Sequence, residues 1–407
     1  MVFDYQSEIA MKPVSLIKNF VLAACIIFIM AGCKSHNEKS GRTTMLIDSI
    51  SKCYIPDHRM GICDISAKEG EDGGLILSGE TTNPHIKVAI INTLSKLGNK
   101  LIDSIIVLPD TLSDKKYTGL VTLSVINIRK QPDHAAEMVS QALLGTPLLI
   151  LKNEDGWLLI QTPDHYIGWT ESSSVVSMTI QAMSVWKQSD RVITRENSGW
   201  IYSSPGESGI TGDFVAGCIF VKEGETRGFT KVMFPDGREG YIAASAVTDF
   251  NDWRSAVRCT GDNLVKTAVT FTGLPYLWGG SSTKGVDCSG FSQAVYYLNG
   301  IILLRDASLQ ALHGMNIDFS QGYGLLQPGD LMFFGRKDKE KPRVSHVAVY
   351  IGDSDYIHSS GRVMISSLDS TRSNYSRYRE NSLLVVRRVI GVVDDPGIMP
   401  IKSHPWY

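Results

Sequence analysis

The sequence has no dense run of lysine or arginine, and its 40 Lys+Arg nearly balance 42 Asp+Glu for a net charge of -2. That excludes the basic stripe that nucleic-acid binding requires, so no nucleic-acid partner is expected. No CxxC or HxxxH pair occurs among its cysteines and histidines. Ligands at those spacings are missing, and neither a metal site nor a cofactor is expected. The uncharged stretch near the N-terminus, Phe20 to Met30, reaches only half of the ~20 apolar residues that a membrane-spanning helix needs.

What is present is a globular composition, 43% hydrophobic and 20% charged, over 407 residues. That length predicts two to four domains. Lys12 and Lys18 precede the short apolar stretch, and Ala31-Gly32-Cys33 follows it. A basic region, an apolar region and small residues form a secretory signal. The small-small-Cys ending resembles a bacterial lipobox, which implies a lipoprotein signal over residues 1–33 with Cys33 lipidated after cleavage. Met30 stands where a lipobox prefers Leu, and the acidic start from Met1 to Ala10 makes Met11 a candidate initiator. Leu22-Ala23-Ala24-Cys25 fits the same motif but leaves little apolar sequence before it. The polar stretch Lys34 to Thr44 then reads as a tether. The expected place is the cell envelope, lipid-anchored, on the periplasmic face or the outer surface. Disulfides persist there, so Cys53 and Cys63 are free to pair or not. Cys218 and Cys259 read as small buried hydrophobes.

The mature chain divides by pattern. Residues 34–116 carry the tether, a helical run from Ile86 to Leu101 and short apolar strands such as Leu75-Ile76-Leu77, a small α+β domain. Pro163-Asp164-His165-Tyr166-Ile167-Gly168-Trp169 and Pro235-Asp236-Gly237-Arg238-Glu239-Gly240-Tyr241 then repeat as P-D-x-x-x-G-aromatic, each after a β-rich stretch. Short strands with Gly, Pro and Asp turns indicate small β-barrels. They resemble bacterial SH3-like domains, assigned to residues 117–177 and 178–250, with Tyr117, Trp157, Trp186 and Trp200 expected in their cores. From 251 to 407 a helical run (Trp253 to Thr272) leads to a Gly-rich loop, a second helix (Ser289 to Asn299) and later strands, an α+β domain. The last seventeen residues, with three prolines, are expected to wrap the surface.

Gly285-Val286-Asp287-Cys288-Ser289-Gly290-Phe291 is the strongest chemical signal. Asp287 can cap a helix whose first turn contains Cys288. Unsatisfied N–H groups and the helix dipole there are expected to lower the thiol pKa and to hold an oxyanion. A capped helix opening on cysteine serves structure as readily as chemistry, so partners decide. Ser345-His346-Val347-Ala348-Val349-Tyr350-Ile351-Gly352 reads as a strand, and Tyr356-Ile357-His358 follows a four-residue turn. The resulting hairpin makes His346 and His358 cross-strand neighbours where register allows. A nucleophilic cysteine needs a base, and the base needs an orienting group.

The segment Pro275-Tyr276-Leu277-Trp278-Gly279-Gly280, the D-C-S-G-F run, Leu326-Gln327-Pro328-Gly329-Asp330-Leu331, the S-H-V-A-V-Y-I-G strand and the I-H-S-S turn occur in that order. Together they resemble the NlpC-type, papain-like cell-wall cysteine peptidases over residues 255 to 390. The resemblance implies an α+β fold: a papain-like catalytic domain preceded by two SH3-like barrels and a small α+β N-terminal domain. It implies Cys288 as nucleophile, His346 as base, His358 as the group orienting it, and Tyr276 helping to hold the oxyanion. The implied reaction hydrolyses the bond between the γ-carboxyl of D-glutamate and a diamino acid in peptidoglycan stem peptides. The first barrel resembles that of a subgroup acting on freed stems. There a glutamate and a tyrosine bind the free amine of L-alanine, matching Glu137 and Tyr166. Trp278, Asp287, Ser289 and Ser308 match further substrate positions. The alternatives are a wall-remodelling hydrolase acting on intact peptidoglycan, an acyltransferase on the same fold, and a non-catalytic wall-binding lipoprotein.

Overall fold

A computed structural model of the chain describes residues 36–70, 72–109, 115–206, 208–338 and 342–407. The expected signal and Cys33 lie outside the described residues. By their contacts the residues fall into two units, one up to Lys115 together with His165–Ile167, the other Lys116–Asp164 with Gly168–Tyr407. Among the described residues no helix is long and apolar enough to cross a membrane.

The N-terminal unit runs α1 (His36–Tyr54), β1 (Cys63–Glu69), β2 (Leu75–Thr81), α2 (Pro84–Lys96) and β3 (Leu101–Val107). Strands β1 and β2 pair antiparallel, and β2 and β3 pair parallel across the α2 crossover. Asn83 starts α2 by accepting from the His85 N–H, and Pro84 follows it where its missing N–H costs nothing. Ile86, Ile90 and Leu94 recur every four residues and bury one helix face against Leu77 and Ile105 of the sheet. The helix expected through Leu101 stops at Lys96, because Gly98 turns at φ 80 and Leu101 already pairs with Leu75. Cys53 and Cys63 are both free, with the Cys63 sulfur 2.9 Å from the Ser51 hydroxyl.

In the larger unit, strands between Thr118 and Met178 form one seven-stranded sheet, and strands between Arg191 and Asp249 form another. Counted along the chain, each sheet has the same order: seventh, first, fourth, fifth, sixth, second, third. The weak sequence repeat is thus a repeat of topology. In the first barrel the second and third strands are β4 (Val125–Arg129) and β5 (Met138–Leu143), paired antiparallel. Ile201, Phe214, Phe220, Val232 and Phe234 fill the second barrel, and Phe220 meets Phe234 edge-on with ring centroids 5.3 Å apart. Tyr117 is buried, and Trp157 is half-buried. Trp186 is buried from a helix, Ile180–Gln188, that precedes the second barrel's strands. Trp200 departs from expectation. It is 55% exposed, because strand alternation sends Ile201 inward and its neighbour out.

The expected helix from Trp253 to Thr272 is two helices, Phe250–Ala256 and α3 (Gly261–Val269). Val257 leaves the helical region and Thr260 starts the second helix by accepting from the Asn263 N–H. Next come α4 (Cys288–Tyr297), the one-turn α5 (Ala307–Gln310), and strands β6 (Leu331–Lys337), β7 (Pro342–Gly352), β8 (Asp355–Ser360), β9 (Arg362–Ser367) and β10 (Leu383–Arg388). These strands form an antiparallel sheet in the order β10-β6-β7-β8-β9, with Met315–Asn316 pairing β10 at its edge. Helix α4 packs on the β7–β8 hairpin through Phe291 and Val295, both fully buried. Phe291 alone contributes about 1.5–3 kcal/mol of burial. The tail does not wrap the surface. Ile398–Pro400 pairs with Ile301–Leu303, and Ile401, Trp406 and Tyr407 are buried. Their apolar side chains are driven inward in spite of the three prolines.

Candidate active site

The D-C-S-G-F segment takes its conformation one residue at a time. Asp287 is the N-cap of α4, its Oδ1 accepting from the Gly290 N–H at 2.7 Å. Its Oδ2 accepts from the Gly279 N–H at 3.0 Å. Arg305, 1% exposed, closes a two-pronged ion pair on the same carboxylate at 2.6 and 3.2 Å. Ser289, expected at a substrate position, is buried and hydrogen-bonded to both Asp287 and Arg305. A Cβ at position 290 would sit 2.0 Å from the Gly280 carbonyl oxygen, so only glycine lets the loop close over the helix start. Asp287 and Ser289 therefore hold the architecture with most of their polar capacity.

Cys288 is 9% exposed at the first position of this helix. The backbone N–H groups of Val347 and Ser289 favour its thiolate form. Burial nevertheless pushes the thiol up to about 11, the Asp287 carboxylate adds to the rise, and the N–H groups and Arg305 only partly oppose it. The expected lowering by the helix start is overturned, because loss of water around the sulfur outweighs a partial charge.

Val347 brings His346 to the same place. The register Val349↔Ile357 sets His358 opposite position 348, so the two histidines are diagonal rather than direct neighbours, on one face of the hairpin. Their rings are bonded Nε2 to Nδ1 at 2.8 Å, and His358 Nε2 lies 3.1 Å from the Ser366 hydroxyl on β9. Both rings are buried, and burial with the nearby Arg379 charge holds His346 well below 6.5 and His358 at about 4. Both are neutral at ordinary pH. Tyr276 is half-buried beside these groups, its hydroxyl raised to about 12 by burial and then by the Cys288 charge. A buried thiol with a hydrogen-bonded imidazole chain and a neutral phenol is suited to acyl transfer through a thioester.

The first barrel supplies the other wall. Trp278, 62% exposed, donates its indole N–H to Glu137 Oε1 at 3.0 Å. Glu137 is exposed where the chain enters β5, on neither a helix nor the barrel core. Gln141 on β5 accepts from the Ser281 N–H and the Ser282 hydroxyl, and Ser140 accepts from Arg305 Nε at 3.1 Å. The Met138 carbonyl lies so close to Gly279, at φ 75, that a Cβ there would sit 2.5 Å away. Ser308 is half-buried on α5, the element that Gln310 ties to the start of α4 through the Ser289 carbonyl. Tyr166 is buried in the segment His165–Ile167, which belongs to the N-terminal unit, where the Ile167 N–H donates to the Arg59 carbonyl. A small pocket beside α4, lined by Asp164, Gln293 and Tyr407 among others, holds none of the cysteine and histidine groups. Among the described residues no cluster of three or more potential metal ligands occurs.

Sequence reading missed Arg305, Ser140, Gln141, Ser366 and Arg379. An arginine amid apolar Ile301-Ile302-Leu303-Leu304 was the one available signal, since a buried arginine demands a carboxylate.

Residues 273–386 match the NlpC/P60 family, and residues 128–175 match the bacterial dipeptidyl-peptidase SH3 domain. A gamma-D-glutamyl-L-lysine dipeptidyl-peptidase of Bacillus cereus is 29% identical over 234 residues, spanning 56% of this chain and 68% of that protein. Dipeptidyl-peptidase 6 of Lysinibacillus sphaericus is 28% identical over 273 residues, spanning 63% of this chain and 94% of that protein. The solved structure of an NlpC/P60 family protein from Bacillus cereus has a TM-score of 0.58 at 24% identity and covers 67% of this chain and 99% of that one. At that identity the likeness concerns the fold, which is α+β with a papain-like domain after an SH3-like one.

Proposed function

Since this chain is a cysteine peptidase with an NlpC/P60 domain preceded by a bacterial SH3 domain, we propose that it cleaves the γ-D-glutamyl–diamino acid bond of peptidoglycan stem peptides bearing a free N-terminal L-Ala. The observation that carries this reading is the bond between Glu137 and Trp278, 3.0 Å long. It ties a carboxylate of the first barrel to the loop whose Gly279 N–H is held by the Asp287 cap of the nucleophile helix. A free ammonium in a cleft needs such a carboxylate, and an acylated stem on intact wall offers none to pair with it. Ser308 and Trp278 complete the proposed substrate wall.

The mechanism follows from neutral partners. Because the thiol is raised and His346 lowered, the proton moves from Cys288 to His346 as sulfur attacks the γ-carbonyl, not beforehand. The oxyanion is held by the Tyr276 hydroxyl and the N–H groups opening α4. His346 then protonates the leaving amine, and water delivered through the same ring hydrolyses the thioester. His358 orients the base. The same reading proposes export and lipid anchoring through Cys33, which loss of acyl labelling in Cys33→Ser tests.

Incubating the full chain with a free L-Ala-γ-D-Glu-diamino acid peptide and with cross-linked sacculi, and detecting released dipeptide by mass spectrometry, tests the substrate. Fast release from the peptide only is expected, with Cys288→Ala reduced by at least about 1,000-fold. Equal cleavage of both substrates would overturn free-amine selection. Full activity in Cys288→Ala would overturn the nucleophile.

A further inference from the structure

The imidazole chain does not end at His358. We infer that Ser366 is a positioning residue, its hydroxyl oxygen accepting the His358 Nε2 proton whenever His346 carries the proton taken from Cys288. This rests on the reading of Cys288 and His346 as nucleophile and base, and adds a fourth member behind them.

The argument is one of proton counting. A neutral imidazole has one N–H and one lone pair, and an imidazolium has two N–H groups and none. At rest the 2.8 Å contact between His346 Nε2 and His358 Nδ1 holds one proton, which either ring can own. Once His346 has taken the thiol proton it owns two, and its Nε2–H must donate to His358 Nδ1. His358 is then obliged to carry its single proton on Nε2. The group facing that nitrogen is Ser366 Oγ, 3.1 Å away. His358 is 3% exposed and Ser366 6%, so water does not take the proton's partner role. A buried imidazole N–H without an acceptor would be paid for in the charged state alone. Ser366 therefore favours the Nε2–H tautomer of His358, the one that His346 requires once it has taken the thiol proton.

The fold fixes this contact firmly. His358 pairs with Met364 and Tyr356 pairs with Ser366 across β8 and β9, so His358 and Ser366 are diagonal on one face of adjacent strands. Tyr356 packs against His358 with ring centroids 5.2 Å apart and the rings tilted at 59°. Arg379, whose Nη2 reaches the Ser360 hydroxyl at 3.4 Å, disfavours protonation of His358 itself, so the second proton is not stored there.

The test uses the full chain labelled with 15N-histidine, compared with Ser366→Ala and Ser366→Thr. Turnover of the stem peptide should fall about three- to tenfold in kcat for Ser366→Ala with KM unchanged, the range one hydrogen bond commands. The Thr variant, which keeps the oxygen, should recover most of it. In the NMR spectrum His358, assigned by its loss in His358→Gln, should hold its proton on Nε2 in the parent and shift it toward Nδ1 in Ser366→Ala. An unchanged His358 tautomer in Ser366→Ala, a kcat within twofold of the parent, or a folded Thr variant as slow as the Ala variant would each overturn the inference. The tautomer readout needs no substrate, so it decides the role of Ser366 even if the substrate reading fails.

Discussion

The hairpin β4–β5 of the first barrel has a counterpart in the second, Ser198–Ser204 paired with Ser208–Val215, at the same place in an identical strand order. The first hairpin ends on the nucleophile's support: Ser140 on Arg305, Gln141 on Ser281 and Ser282, Glu137 on Trp278. The second presents Trp200 at 55% and Ile210 at 61% exposure, and its neighbourhood meets the catalytic domain through Asn197 and Asp213. One topology thus provides a wall of the active site in one copy and an outer brace in the other. The difference lies in which polar side chains the hairpin carries and in what they meet.

The strongest way to break the first barrel's connection is Arg305→Met. The carboxylate of Asp287 would stay buried with its N–H partners but without its cation, a loss of about 3–5 kcal/mol. Urea unfolding should report that loss. kcat/KM should fall at least about 100-fold even under conditions where the variant is folded, because Asp287, Ser289 and Ser140 lose their shared partner at once. A folded, fully active Arg305→Met would show that the barrel's hold on Asp287 is incidental.

Gln141→Ala comes next. It removes one amide oxygen that accepts at 3.0 and 3.1 Å from Ser281 and Ser282, two residues of the loop leading to Cys288. Two neutral hydrogen bonds predict a loss of about 1–3 kcal/mol. A fall in kcat/KM of roughly tenfold is expected, with the melting temperature lowered by a few degrees at most. An effect on stability alone would reduce the first barrel to the same bracing part as the second.

How much of this was legible in the sequence depends on how local each feature is. Asp287, Cys288 and Gly290 stand within four positions, and one capped helix explains all three, so the motif could be read directly. His346 and His358 were legible as a hairpin pair, although the diagonal register was not, because a bulge after Tyr350 shifts the pairing. Arg305 and Ser140 are 165 positions apart, and no local pattern announces such a contact. The raised Cys288 thiol was missed for a related reason. A helix start shows in sequence, whereas burial by Val347 and the core of the sheet does not. Trp200 and the C-terminal tail erred in opposite directions. Alternation about Ile201 put an aromatic outside, whereas Ile401, Trp406 and Tyr407 turn inward while Pro400 and Pro405 stay exposed.

Among the described residues the histidine pair bonds within itself and to Ser366 rather than to either hairpin, which sharpens the comparison by pH. Burial and Arg379 hold His358 at about 4 and His346 well below 6.5, so His346 stays a competent base below the ordinary histidine value. The acid limb of kcat/KM is expected well under pH 6.5, and at the same pH in the parent, Gln141→Ala and Asn197→Ala. Arg379→Ala removes a positive charge facing both rings, so their pKa values should rise and the limb should move up. Stability follows the same sign. The unfolded histidines bind protons near pH 6.5, so folding stability is whole above that value and is lost as pH falls toward about 4. A limb that moves with Gln141→Ala would mean that the first barrel also tunes the base.

The smallest expected effect belongs to Asn197→Ala in the second barrel. Asn197 Nδ2 donates to the Thr270 carbonyl at 2.8 Å, capping the C-terminal end of α3, and its own carbonyl accepts from the Thr283 hydroxyl. The substitution removes the first contact and leaves the second, because a backbone carbonyl survives any side-chain change. Asn197 is only half-buried, so water takes over at the Thr270 carbonyl and the net loss is about 0.5–1 kcal/mol. The loop from Ser281 to Lys284 stays tied by Gln141 on one side and by the Lys284–Asp213 ion pair at 2.7 Å on the other. kcat/KM should therefore remain within twofold of the parent while the urea midpoint drops slightly. Should Asn197→Ala instead cost as much activity as Gln141→Ala, both barrels would be positioning the loop before Cys288. The functional asymmetry between two copies of one topology would then have to be sought in Glu137 alone.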